Sequence, residues 1–127
     1  MGRTTGLLQK GYTAGAAIPA RTLVKFGAAD GTVIPAVAAT DAVIGVQSEI
    51  DCSINDRASV AMVGNIEEVI YGGTITRGDA LVAGAGGKAF AAAAAVGANV
   101  NCIGRAEVSG VANDIGTVII APFVIQG

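Results

Sequence analysis

From residue 21 onward the chain is punctuated at short intervals, with segments rich in Val, Ile and Thr alternating with Gly, Asp and Asn. β-Branched side chains suit the pleated surface of a strand, and Gly, Asn and Asp supply turns, so this rhythm specifies an all-β fold. Strands are expected at 22–26, 32–36, 43–48, 58–63, 66–71, 80–83, 88–92, 102–108 and 117–125. In the fourth of these, Ala58, Val60 and Met62 alternate with Ser59, Ala61 and Val63. Neither face is strongly polar, as in strands covered on both sides. The alanines at 91–95 have helical propensity, but Gly97 stops them after about two turns.

At 127 residues these segments fill one ordinary domain. Hydrophobic residues make up 52%, yet much of this is alanine and aromatics reach only 4%. Apolar burial yields roughly 25 cal/mol per Å2, and small side chains bury little. Part of the stability is therefore expected to come from oligomerisation or docking. Residues 1–20, MGRTTGLLQKGYTAGAAIPA, hold few large apolar anchors: Leu7, Leu8, Tyr12 and Ile18. They read as an extended N-terminal arm, either ordered by a partner or frayed, with residues 21–127 forming the β-rich domain.

Two series of segments look like one unit used twice. Leu81 follows Leu23 by 58 residues, Ile103 follows Ile44 by 59, and Val118 follows Val60 by 58. Glycine follows the isoleucine each time, as Gly45 and Gly104. This implies two similar β units around one core, since a solenoid needs three repeats or more.

The residue inventory limits the chemistry. The sequence contains no histidine, which removes Ser-His-Asp and Cys-His catalysis, histidine metal ligation and the usual general base near neutral pH. Cys52 and Cys102 read as buried, unpaired thiols. Net charge is −2 and the eight cations are scattered from Arg3 to Arg105, so no basic stripe exists for nucleic acid. The longest strictly apolar run, 89–96, falls well short of the roughly 20 residues that span a bilayer. No signal-peptide core opens the chain, and Gly6 stands where myristoylation favours Ser or Thr. Synthesis in a cytoplasm is expected.

Several motifs invite chemical readings. Residues 84–89 fit G-x-G-x-x-A after a strand, with Glu107 about 20 residues on, but only seven residues separate Ala89 from Gly97. That leaves no room for a crossover helix, so Gly86 and Gly87 are expected to form a hairpin turn, with no cofactor bound. Gly87-Lys88 fails as a phosphate loop, because Val82 and Ala89 replace the required Gly and hydroxyl. Residues 51–57, DCSINDR, space oxygens like a calcium loop but put Asp56 and Met62 where Gly and Glu are required, so a polar turn is expected and no metal. Glu67 and Glu68 are adjacent and point to opposite faces of a strand. In Arg77-Gly78-Asp79, glycine can supply the turn and aspartate can cap it, although the tripeptide also spells a cell-adhesion motif.

Residues 74–123, TITRGDALVAGAGGKAFAAAAAVGANVNCIGRAEVSGVANDIGTVIIAPF, resemble the C-terminal half of bacteriophage capsid decoration, or cement, proteins. The matching positions are Gly78, Asp79, Leu81, Gly87, Lys88, Ile103, Gly104, Ala106, Val118 and Ile120; Ile44-Gly45-Val46 and Val60 extend the likeness more loosely to residues 20–125. The resemblance implies a compact barrel-like β-tulip fold, no enzymatic activity, and attachment to the outer surface of a phage head. It also implies the major capsid protein as partner, commonly with the decoration protein as a homotrimer. Leu7, Leu8 and Tyr12 of the arm, together with exposed strand edges, are the expected contacts, because an extended segment can add to a partner sheet. The alternative is an adhesion module working through Arg77-Gly78-Asp79.

Overall fold

Ten strands and one 3-10 turn are found in the structure, a computed structural model that describes residues 9–93 and 96–126. In chain order the strands are β1 (Gln9–Ala14), β2 (Leu23–Phe26), β3 (Thr32–Pro35), β4 (Gly45–Gln47) and β5 (Arg57–Ala61). Then come β6 (Ile66–Ile70), β7 (Ala80–Ala83), β8 (Ala89–Ala91), β9 (Asn99–Ala106) and β10 (Ile115–Gln126). All nine expected strands are present, with ends displaced by at most three residues. The additional strand is β1.

Strands β1 to β5 close a barrel in the order β1-β3-β2-β4-β5. In it β1 runs parallel to β3 and antiparallel to β5. Strands β6 to β10 form a sheet in the order β6-β10-β9-β7-β8. Its two edge strands approach at a parallel bridge between Tyr71 and Ala89, in the place of the β1–β3 pair. Each strand of the first set thus has its counterpart five strands later, with the same neighbours and the same relative directions.

The repeat extends to single hydrogen bonds. Ile18 and Cys52 exchange backbone bonds, as do Ile75 and Gly110. The amide of Ala14 donates to Asp56 and its carbonyl accepts from Asn55, and Tyr71 does the same with Asp114 and Asn113. Asn55 and Asn113 both take positive φ, 72° and 71°, a conformation asparagine tolerates. The carboxylates of Asp56 and Asp114 accept from the amides of Ser53 and Val111, three residues back. The expected tandem unit is therefore present, with corrected bounds. It begins at β1 rather than at residue 21, and β6 is the first strand of the second unit rather than the last of the first. Gly45 pairs with Val24 and Gly104 with Leu81, so Val24, not Leu23, is the counterpart of Leu81. The Gly45–Gly104 and Val60–Val118 equivalences hold in register.

These bounds also change the reading of residues 1–20. Gln9–Ala14 is a barrel strand and Ile18 is fully buried, so an arm ending at residue 20 is not what the structure contains. Leu7 and Leu8 lie outside the described residues.

Tyr12, Ala14, Ile18, Val24, Val33, Cys52, Ala58 and Val60 fill the first barrel. Leu23, Val43, Val46 and Ala61 from the first unit join Val69, Tyr71, Leu81, Ile103, Val118 and Ile120 from the second in one continuous cluster. The shared core makes a single body of two units, further tied by an ion pair from Arg21 Nε to Glu68 Oε1 at 2.8 Å. The cores solve the same space differently. The first places Tyr12 beside Ala14, Cys52 and Ala58, whereas the counterparts in the second are Val69, Tyr71, Gly110 and Gly116. Tyr71 is fully buried, and its ring occupies the room left by the two glycines.

In the loop between β3 and β4, Asp41 accepts the amide of Val37 at 2.9 Å, pairs with Lys25 at 2.9 Å and accepts the amide of Ala38 at 3.2 Å. These contacts hold its carboxyl below the usual carboxylate range. A depressed folded-state pKa adds stability above the unfolded value and loses it as pH falls through the folded one. Asp41→Asn is therefore expected to destabilise by about 1 kcal/mol at pH 7. The difference should shrink as pH falls through the lowered folded-state pKa, read from urea midpoints at pH 7 and in acid.

Candidate interaction surface

Of the expected contact residues, only Tyr12 is described, and it belongs to the core. Its side chain points into the first barrel at 8% exposure. Its ring meets Phe26 edge-on with centroids 6.1 Å apart, and Lys10 Nζ lies 5.3 Å from the centroid. Phe26, at 58% exposure, takes the outward position beside the 27–31 loop.

The turns behave as glycine and aspartate chemistry predicts. Gly78 has φ +92°, and its counterpart in the first unit, Arg21, also has positive φ at 62°. The Arg77-Gly78-Asp79 tripeptide is thus the second copy of a turn made earlier by Ala20-Arg21-Thr22. Asp79 Oδ2 accepts the Thr76 amide at 2.9 Å, so the carboxylate an adhesion contact would need is held in its own turn. In the first unit Pro19 stands in place of Thr76 and has no amide to cap. Ala85–Gly87 forms the 3-10 turn of the β7–β8 hairpin, with Gly86 and Gly87 at φ +75° and +70°. Antiparallel pairing of its flanking strands leaves no βαβ unit for a dinucleotide.

Other polar groups among the described residues are engaged in turns. Asp51 accepts the Ala20 amide at 2.7 Å and Asp56 that of Ser53, so both aspartates of the 51–57 segment are engaged by backbone amides. Among the described residues no three His, Cys, Asp or Glu side chains cluster as metal ligands. Cys52 and Cys102 are buried, unpaired thiols in different clusters. Burial pushes both upward; nearby Asp56 adds to the effect at Cys52, whereas Arg105 opposes it at Cys102. Such thiols are poor nucleophiles near neutral pH.

What the structure does expose is an apolar sheet face. On the outer side of the second unit, Ile66 lies across from Ile119 and Ile70 across from Ile115, with Glu68 and Thr117 between them. Ile115 and Ile119 are 54% and 45% exposed. Beside Ile119, Arg105 extends over Phe123 along a shallow groove completed by Gly104 and Ala121. The repeat provides an internal comparison. Counterparts of Ile66, Ile70 and Ile115 in the first unit are Gln9, Thr13 and Arg57. At these three positions the backbone surface is polar in the first unit and isoleucine in the second; the counterpart of Ile119 is Ala61, which is buried in the shared core.

No protein-family model matches the sequence, and no curated protein matches it. Among solved structures, the chain is similar to the N base of head fiber gp8.5 in bacteriophage phi29. The TM-score is 0.66 with 18% identity, over 90% of this chain and 93% of that one. At this identity the likeness establishes the fold.

Proposed function

We propose that the protein is a non-enzymatic structural component of a bacteriophage head, binding the outer capsid surface and stabilising contacts between major capsid subunits. The observation that carries this reading is the end-to-end fold likeness to a head-fiber base. The decoration-protein pattern at Gly78, Asp79, Leu81, Ile103 and Gly104 supports it independently. On this reading the protein is made in the host cytoplasm, forms a homotrimer and resides on the virion exterior. A trimer touching several shell subunits gains effective concentration after its first contact, so modest interfaces suffice. Binding only the assembled shell then shifts it away from disassembly. Leu7 and Leu8 are proposed contacts, since an extended segment can pair with a partner sheet.

The test is to mix purified protein with heads assembled without it. Saturable co-sedimentation and a higher temperature of head disruption are expected, and absence of both rejects the role. Deleting residues 2–8 leaves β1 intact and should reduce occupancy; unchanged occupancy removes Leu7 and Leu8 from the interface.

A further inference from the structure

We infer that the outer face of β6, β10 and β9 is the docking surface for a capsid polypeptide, and that this partner presents an apolar patch with a carboxylate opposite Arg105. The inference rests on the head-binding reading and names the surface and chemistry it uses. Isoleucine replaces polar or charged side chains here at three positions whose backbone setting the first unit duplicates, so strand structure alone does not require them. Interface cores combine apolar side chains with few charges, and arginine is enriched among them.

Charge selects the occupant. Glu68 is neutralised by Arg21 at 2.8 Å, and Glu107 accepts the Thr117 hydroxyl at 2.6 Å. Arg105 has no carboxylate partner among the described residues. Its guanidinium carbon sits 5.3 Å from the Phe123 ring centroid, and one N–H donates to the Gly78 carbonyl at 3.0 Å. Held in this way, the planar group keeps donors for a carboxylate, which it can grip bidentately at small entropic loss.

The experiment compares wild type, Ile119→Lys, Arg105→Glu and the first-unit control Thr13→Lys in quantitative co-sedimentation with heads lacking the protein. Each variant is also melted and sedimented alone. Ile119→Lys and Arg105→Glu are expected to bind roughly tenfold more weakly or worse, with Thr13→Lys like wild type and the oligomeric state constant. Should Ile119→Lys fail to fold, Arg105→Glu still decides. Undiminished binding by the face variants overturns this inference and leaves head binding standing. A changed oligomeric state in those variants overturns it in favour of a second copy as occupant. No binding by wild type removes the head-binding reading and this inference together.

Discussion

Tyr71→Ala should lower the free energy of unfolding by about 4 kcal/mol, a large part of what a domain of this size possesses. The ring is fully buried, and its hydroxyl donates to the Val108 carbonyl at 2.6 Å. Truncation removes apolar contact, leaves a cavity and strands that carbonyl. The repeat supplies a sharper test. A methyl added at Gly116 would run into the Tyr71 ring, so Gly116→Ala alone should destabilise by about 2 kcal/mol. In the first unit the counterparts are Ala14 and Ala58, both fully buried in one core cluster. In a Tyr71→Ala background, Gly116→Ala should therefore recover about 1 kcal/mol, reversing its sign. Equal cost in both backgrounds, measured by urea unfolding, would contradict the exchange of volume between the two units.

The second large effect falls on Gly45 and Gly104, the equivalent glycines of β4 and β9. A methyl at Gly45 would land on the Ala61 carbonyl oxygen, with Val60 Cγ1 2.7 Å away. At Gly104 it would land on the Ile119 carbonyl oxygen, with the Ala121 nitrogen at 3.1 Å. These obstacles include backbone of the paired strand, which cannot rotate away as a side chain can. Each alanine substitution is expected to cost about 3 kcal/mol. Gly64→Ala is the control: φ is +93° but nothing lies within 4 Å, so only conformational strain of about 1 kcal/mol applies. If Gly45→Ala and Gly104→Ala unfold no more easily than the control, close strand approach is not what requires glycine there.

Strand positions were legible because Val, Ile and Thr mark them and glycine separates them. β1 was not, because QKGYTA sends only Tyr12 and Ala14 into the core, and its remaining side chains are polar or absent. Its true signature is the correspondence of Tyr12 and Ala14 with Val69 and Tyr71, where the aromatic has moved by one inward position. The Asn-Asp pairs at 55–56 and 113–114 repeat in the sequence and mark the same turn. Read as candidate metal oxygens, the first pair concealed that likeness. The isoleucine face depended on pairing between residues 45 and 53 apart in the chain, Ile70 with Ile115 and Ile66 with Ile119. β10 is apolar on both sides along Val118, Ile119 and Ile120, so alternation alone did not separate outside from inside.

Head binding is tested most directly by electron cryomicroscopy of heads assembled without the protein, imaged before and after incubation with it. Additional density at a fixed set of outer-surface positions, saturating with protein concentration and fitting the two-unit β fold, is the predicted result. Heads that look the same at saturating protein would contradict the account.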